Sequence, residues 1–304
     1  GTHVADMSDS AGTSWFDTRA RDWSDALLSA TDMTRAQMPR LSEGSENAGI
    51  LRPELCARWG LTGPVTIAGG AGDNAAAACG IGALKEGQGF VSLGTSGVLL
   101  AARDGYHPDA ASALHTFAHA IPNRWYQMGV ILSATDSLNW LARLTGKRPA
   151  ELTTALAAQA GGRLQPPASV QFLPYLAGER TPHNDALMRG AFTGLSHSAD
   201  ALTLTQAVLE GVAFALRDSA QALRATGAKL DQIFAIGGGS ASRYWVELLA
   251  TVLGVPLALP QGSEFGAALG AARLALCAAT GQPPEEVMTT PDIGDIIPPN
   301  TALQ

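Results

Sequence analysis

Asp73 has the clearest setting for chemistry in this chain. It closes the run Ala68-Gly69-Gly70-Ala71-Gly72, which follows the apolar Val65-Thr66-Ile67, and it precedes Asn74 and the alanines Ala75 to Ala78. A strand that ends in glycines and gives way to alanines predicts a carboxylate at a strand-to-helix turn. Glycines let the backbone turn tightly and let a ligand approach. A helix N-terminus adds unpaired N–H groups and favours negative charge. A carboxylate placed there stands as an acid at the mouth of a cleft. It can equally serve as a helix cap and nothing more.

Two further turns carry polar groups between glycines. Gly94-Thr95-Ser96-Gly97 joins Phe90-Val91-Ser92-Leu93 to Val98-Leu99-Leu100-Ala101 and predicts a β-hairpin. Its N–H groups and two hydroxyls suit phosphate oxygens. Gly237-Gly238-Gly239-Ser240 follows Ile233-Phe234-Ala235-Ile236 and leads into a helix over 242–253, so the strand–glycine–helix pattern occurs twice.

The elements that must position these turns can be read from periodicity. Helical spacing is predicted over 22–30, 52–59, 75–84, 133–144, 149–158 and 204–225, and over a closing helix that begins near Glu264 and spans 266–280. On the longest helix Val208, Leu209, Val212, Ala215 and Leu216 should face inward, with Glu210 either at the surface or in a buried pair. Strands are predicted at 65–67, 90–93, 98–101, 125–129, 170–174, 233–236 and 256–259, and the proline-rich tail 283–304 is expected on the surface. Strands alternating with helices imply an α/β protein whose ligands bind beyond the strand ends.

Composition narrows the function. The 304 residues, 46% hydrophobic and 15% charged, can build one large core or two ordinary ones, and two domains are the better expectation. A net charge of −7 without a basic run argues against nucleic acid or an anionic membrane as partner. No apolar run reaches the ~20 residues of a membrane span, and no signal pattern opens the chain, so it reads as cytoplasmic. Cys56, Cys79 and Cys277 are far apart and suit buried positions in a reducing compartment. His3, His107, His115, His119, His183 and His197 form no ligand-spaced cluster, so no protein-held metal is expected. Walker, GxGxxG, HRD, DFG and GxSxG strings are missing, which removes the common nucleotide folds and the serine hydrolases.

An acid on a glycine turn, a Gly-Thr-Ser-Gly hairpin and a triple-glycine turn, in this order, resemble the FGGY family of carbohydrate kinases. The strings that carry the likeness are Asp6-Met7-Ser8-Asp9 with Ala11-Gly12-Thr13, Gly70 to Ala76, Ser92 to Gly97, Phe172 to Leu176 with Gly178-Glu179-Arg180-Thr181-Pro182-His183, and Gly237 to Ser240 with Ser242 and Trp245. A second family signature runs through Gly190-Ala191-Phe192-Thr193-Gly194-Leu195 to Leu204 and Ala207-Val208-Leu209-Glu210, departing at Thr203. Another departure, Glu247 to Thr251, lies on the nucleoside side.

The resemblance implies an actin-like, ribonuclease H-like ATPase fold. Residues 1–86 would be the end of the first, sugar-binding domain and 87–304 the second, nucleotide-binding domain, so that the chain maps onto the C-terminal larger part of such a kinase. Within the family the strings lie closest to the kinases of D-xylulose, which implies ATP-dependent phosphorylation of that sugar. Kinases of ribulose, gluconate or glycerol, and an actin-like nucleotide-binding module without transferase activity, are the alternatives.

By the same resemblance Asp73 is the general base and binds substrate together with Asn74. Gly94, Thr95, Ser96 and Gly97 contact the β- and γ-phosphates of ATP, Gly237, Gly238, Gly239 and Ser240 the adenosine, and Mg²⁺ is held mostly by ATP and water. A homodimer is compatible with the family. From the residues themselves Glu179 and Arg180 are expected as a buried pair holding a loop in preference to touching phosphate or sugar, His183 as a cap of that loop in preference to a catalytic group, Trp15 and Trp23 as core residues in preference to a sugar-stacking platform, and Asp6 and Asp9 either as turn residues or on the sugar side.

Overall fold

A computed structural model describes residues 2–262 and 266–303; Glu264, where the closing helix was expected to begin, lies outside them. Phe90, Val91 and Leu93, and then Leu99 to Ala102, are buried on both faces of one sheet, which explains why they read as continuous apolar runs. They belong to β1 (Gly87–Leu93) and β2 (Gly97–Arg103), which pair antiparallel with Leu93 opposite Gly97. With β3 (His115–Ala118), β4 (Trp125–Ile131), β5 (Leu230–Ile236), β6 (Leu257–Pro260) and β7 (Ile293–Ile297) they form a seven-stranded sheet in the order β7-β6-β5-β1-β2-β4-β3. β5 and β6 run parallel to β1, while β2, β4, β3 and β7 each pair antiparallel with a neighbour.

Helices cover both faces. One is covered by α1 (Asp73–Ile81) and α6 (Ala267–Thr280), which share a core with Phe90, Leu100, Tyr126, Met128 and Phe234. On the other, α2 (Thr135–Thr145), α3 (Pro149–Gln159), α4 (Ala201–Ala225) and α5 (Arg243–Leu253) pack with Val91, Leu93, Leu99, Ile131 and Ile233. The α1–α6 crossing depends on glycine. A Cβ on Gly270 would lie 1.7 Å from the Ala76 carbonyl oxygen, so only a hydrogen there lets the helix backbones come so close.

Residues 2–72 form a smaller region of two-stranded pieces: Val4–Asp6 with Arg40–Ser42, Phe16–Asp17 with Asp22–Trp23, and Asn47–Ile50 with Thr66–Ala68. Phe16, Trp23 and Leu28 pack there with Ala118 of β3. Arg21 ties the region to the sheet edge. Its guanidinium pairs with Glu43 at 2.5 Å and donates to the carbonyls of Arg124 (2.7 Å), His119 and Ile121 (both 3.3 Å), and Trp125 Nε1 donates to Thr18 at 2.8 Å.

Three expectations change. Asp22 and Trp23 form a strand, and the helix is only Asp25–Ala30, because Ser24 caps it and Phe16–Asp17 pairs with the two residues before. The 65–67 run is not buried, as Ile67 is 45% exposed. The surface tail also enters the sheet: β7 pairs with β6, buries Ile297 and takes the place of β6 as the edge strand.

Candidate active site

Asp73 is the first residue of α1, not its cap. The cap position is Gly72, which has no side chain to close the helix and lies at φ −60°, ψ 156°. The Asp73 carboxylate is exposed and accepts the Asn74 backbone N–H at 2.6 Å and the Asn74 side-chain amide at 3.0 Å. A carboxylate in the first helical turn is favoured by the helix dipole. The turn before it is crowded, since a Cβ on Gly69 would meet the Glu43 carbonyl oxygen at 2.2 Å. Gly72 N–H donates to Ser8 Oγ at 3.0 Å. Asp9 is exposed beside Gly72, and Asp73, Asp6 and Asp9, together with burial, push the Tyr126 phenol well above its ordinary range.

The Gly94–Gly97 loop closes β1–β2 as expected. Its carbonyls are taken by the start of α2: Gly94 accepts the Thr135 N–H (3.0 Å) and hydroxyl (2.7 Å), and Thr95 accepts the Ala134 N–H at 2.8 Å. Among the described residues the Thr95 and Ser96 hydroxyls have no hydrogen-bond partner. The triple-glycine turn packs directly on the same strand end. Gly237 has φ +86°, a Cβ there would lie 2.9 Å from the Leu93 backbone, and one on Gly239 would lie 2.7 Å from Leu93 Cβ. The Ser240 hydroxyl donates to the Gly237 carbonyl at 2.7 Å.

Residues flanking the three stretches share one apolar cluster, while the hairpin loop and the triple-glycine turn also meet α2 and Leu93 of the other face. Ala71 and Ala77, on either side of Asp73, Val98, just past the hairpin loop, and Ile236, just before Gly237, all pack on the apolar cluster that includes Phe90 and Leu100. Two clefts flank the triple-glycine turn. One of about 540 Å³ is lined by Ser92, Gly237, Gly238 and Ser240. The other, about 550 Å³, is lined by Gly238, Gly239, Trp245, Thr135 and Asn139. Thr135 and Asn139 were not singled out from the sequence. The only local signal is the small polar run Ser133 to Asp136 at a helix start, and its meaning depends on the loop it touches.

Other candidates take structural places. Glu179 is buried and Arg180 is exposed, and they form no ion pair. Glu179 Oε1 accepts the N–H groups of Leu132 (2.9 Å) and Arg180 (2.8 Å), while the Arg180 guanidinium lies 3.3 Å from His115 Nε2. Burial raises the Glu179 carboxyl above its ordinary range. His183 meets the Tyr175 hydroxyl at 3.1 Å within the same loop. Glu210 is buried without a cation and accepts from the Ala168 N–H and the Gln206 amide. Trp23 is in the core, whereas Trp15 is half-buried and donates to Thr31 at 2.8 Å. All three cysteines are buried and free, and burial raises Cys79 to about 12. Among the described residues no helix is long and apolar enough to cross a membrane, and no group of three or more His, Cys, Asp or Glu is placed to hold a metal.

Comparison with known proteins accords with this geometry. The profile of the C-terminal domain of the FGGY family of carbohydrate kinases matches residues 89–279, and that of the N-terminal domain matches 1–80. A xylulose kinase of Escherichia coli strain K12 is 48% identical over 279 residues, 92% of this chain and 57% of the relative. The crystal structure of a xyloylose kinase from Brucella ovis superposes with a TM-score of 0.96 at 56% identity, covering 100% of this chain and 62% of that one. A gluconate kinase from Lactobacillus acidophilus gives 0.87 at 26% identity, covering 98% of this chain and 60% of that one. The chain thus spans less than two thirds of the length of these relatives. Its five inner strands, in the order β6-β5-β1-β2-β4 with the first three in sequence antiparallel, are the actin-like, ribonuclease H-like ATPase core, and the chain belongs to the FGGY family of carbohydrate kinases.

Proposed function

We propose that the protein containing this chain transfers the γ-phosphoryl group of ATP to the terminal hydroxyl of D-xylulose, giving D-xylulose 5-phosphate and ADP. The observation that carries the reading is that the Gly94–Gly97 loop and the Gly237–Ser240 turn meet at the Leu93 end of β1, and that residues flanking both of them and the Asp73 turn share one apolar cluster. Family membership and the names of the similar proteins support the sugar.

In this reading Asp73 accepts the hydroxyl proton as the sugar oxygen bonds to the γ-phosphorus and the bond to the β-phosphate oxygen breaks. Such transfer depends chiefly on positioning and charge neutralisation, for which an ordinary carboxylate suffices. Asn74 holds the carboxylate and hydrogen-bonds the sugar. Gly94, Thr95, Ser96 and Gly97 bind the β- and γ-phosphates, where the two unpartnered hydroxyls gain acceptors. The adenosine lies at Gly237, Gly238, Gly239 and Ser240. Mg²⁺ arrives with ATP, coordinated by phosphate oxygens and water. Residues 1–86 serve the sugar side and 87–304 the nucleotide side; the break between the two matched profiles, at 80 and 89, supports that division. Closure of the two sides would keep water from the γ-phosphoryl group.

The test is ATP-dependent phosphorylation by the full-length protein of D-xylulose, D-ribulose, gluconate and glycerol. D-Xylulose should show the highest kcat/KM. Preferred turnover of glycerol or gluconate overturns the sugar assignment, and nucleotide binding without transfer to any of the four overturns the kinase reading.

A further inference from the structure

Gly72 has two backbone polar groups, and both are held. Its carbonyl accepts the Ala76 N–H at 2.8 Å, the first bond of α1. Its N–H precedes the helix and has no helical acceptor; it donates instead to Ser8 Oγ at 3.0 Å, 64 positions earlier in the chain. The Ser8 hydroxyl donates in turn to Asp6 Oδ1 at 2.5 Å, and the same oxygen accepts the backbone N–H groups of Ser8 (2.8 Å) and Asp9 (3.0 Å). Asp6 and Ser8 are both buried. Three donors on one buried carboxylate oxygen make a charge-assisted anchor, and a chain of such bonds is stiffer than its members separately.

We propose that Asp6 and Ser8 are positioning residues for the Asp73 carboxylate. The Asp6–Ser8–Gly72 chain of hydrogen bonds holds the first turn of α1 and thereby sets where that carboxylate points. The proposal rests on Asp73 being the base. The backbone contacts of Gly69 and Gly70 with residues 43–46 end two residues short of the helix, and a glycine at the cap position adds no side-chain bond of its own, so the Ser8 hydroxyl is the side chain that fixes Gly72. The bond from Gly72 N–H to Ser8 crosses from the helix start to the N-terminal region. Asp73 therefore answers to residues 6–8 as well as to the sheet beneath α1.

The test is a double-mutant cycle in the full-length protein. Ser8→Ala should lower kcat about tenfold while the KM for ATP changes by less than about twofold, since a base displaced by a fraction of an ångström loses rate without loss of nucleotide contacts. Gly72→Pro deletes the same hydrogen bond from its donor end at a φ that proline already adopts, and should give a similar loss. Combining the two should cost no more than either alone. In an Asp73→Ala background Ser8→Ala should change the residual rate by less than about twofold. An equal loss in both backgrounds, or no loss with Asp73 intact, overturns the relay and leaves the base assignment standing. Full activity of Asp73→Ala by itself overturns the base assignment and the relay with it.

Discussion

Gly69 to Asn74 and Gly237 to Ser240 each follow an apolar strand and precede a helix, yet they are held in different ways. The strand before the first, Thr66–Ala68, pairs only with Asn47–Ile50, and its turn is fixed by close backbone approach at Gly69 and by the bond from Ser8. The strand before the second, Leu230–Ile236, lies inside the seven-stranded sheet, and its turn is wedged against Leu93 at both Gly237 and Gly239. The first turn bears a carboxylate and the second bears none. On the proposed reading the second turn bears the nucleoside, and a surface for its planar base gains from packing on every side. On the same reading the first turn bears a proton acceptor, which gains from a few directional bonds.

The largest effect should come from the first turn. Asp73→Ala in the full-length protein should lower kcat by about 10³-fold, within the range for a general base, while stability changes by less than about 1 kcal/mol because the side chain is exposed. Steady-state kinetics and thermal denaturation check the two halves separately. A loss of stability as large as the loss of rate would break the comparison.

The next effect concerns the edge where the N-terminal region docks. His119 is fully buried, its Nε2 lies 3.2 Å from the Ala83 carbonyl, and its Nδ1 has no partner among the described residues. Burial, with the cations of Arg21 and Arg124 nearby, lowers it to about 4. The unfolded chain, with an imidazole near 6.5, then binds the additional proton, so stability is full above that value and falls as pH drops towards about 4, by roughly 3 kcal/mol for this one group. Denaturant titrations of wild type and His119→Gln at pH 7 and pH 4.5 should show a smaller loss in the variant. Equal losses would remove the His119 imidazole from the account of acid sensitivity.

Alanine at the two turns tests their packing directly. Gly237→Ala meets both a φ of +86° and the Leu93 backbone at 2.9 Å, and should destabilise by about 3 kcal/mol. Gly70→Ala has a similar φ of +89° but open space, so it should cost only about 1 kcal/mol. Equal costs would mean that backbone conformation matters at these turns and packing does not. The smallest effect is expected at the loop between them: Thr95→Ala and Ser96→Ala should each raise the KM for ATP about fivefold, one hydrogen bond's worth, without change in melting temperature.

Local features were legible. The β1–β2 hairpin was readable because its partners are adjacent in sequence, and α4 because Val208, Leu209, Val212 and Leu216 repeat at helical spacing. Trp23, Leu27 and Leu28 share that spacing too. The pairing of Phe16–Asp17 with Asp22–Trp23 outweighs it for the first two residues of the segment, and no periodicity reports such a pairing. β7 was missed because its partner β6 lies more than thirty residues earlier and its own burial pattern is weak. The positions of Asp73, of the hairpin loop and of the triple-glycine turn were readable as turns. That Asp73 would be the first helical residue, with an uncapped glycine before it, was not.

By itself the sequence determined the α/β class, the three glycine turns and the family likeness, since all of these reside in short strings and in periodicities of a few residues. Only the tertiary structure decided that Glu179 takes the Leu132 N–H instead of the Arg180 guanidinium, that Thr135 and Asn139 border the cleft beside Gly238, and that Ser8 reaches Gly72. Those contacts join residues dozens of positions apart. A directional bond between distant groups exists only once packing has brought both ends within 3 Å or so, and nothing in the local pattern at either end records the other.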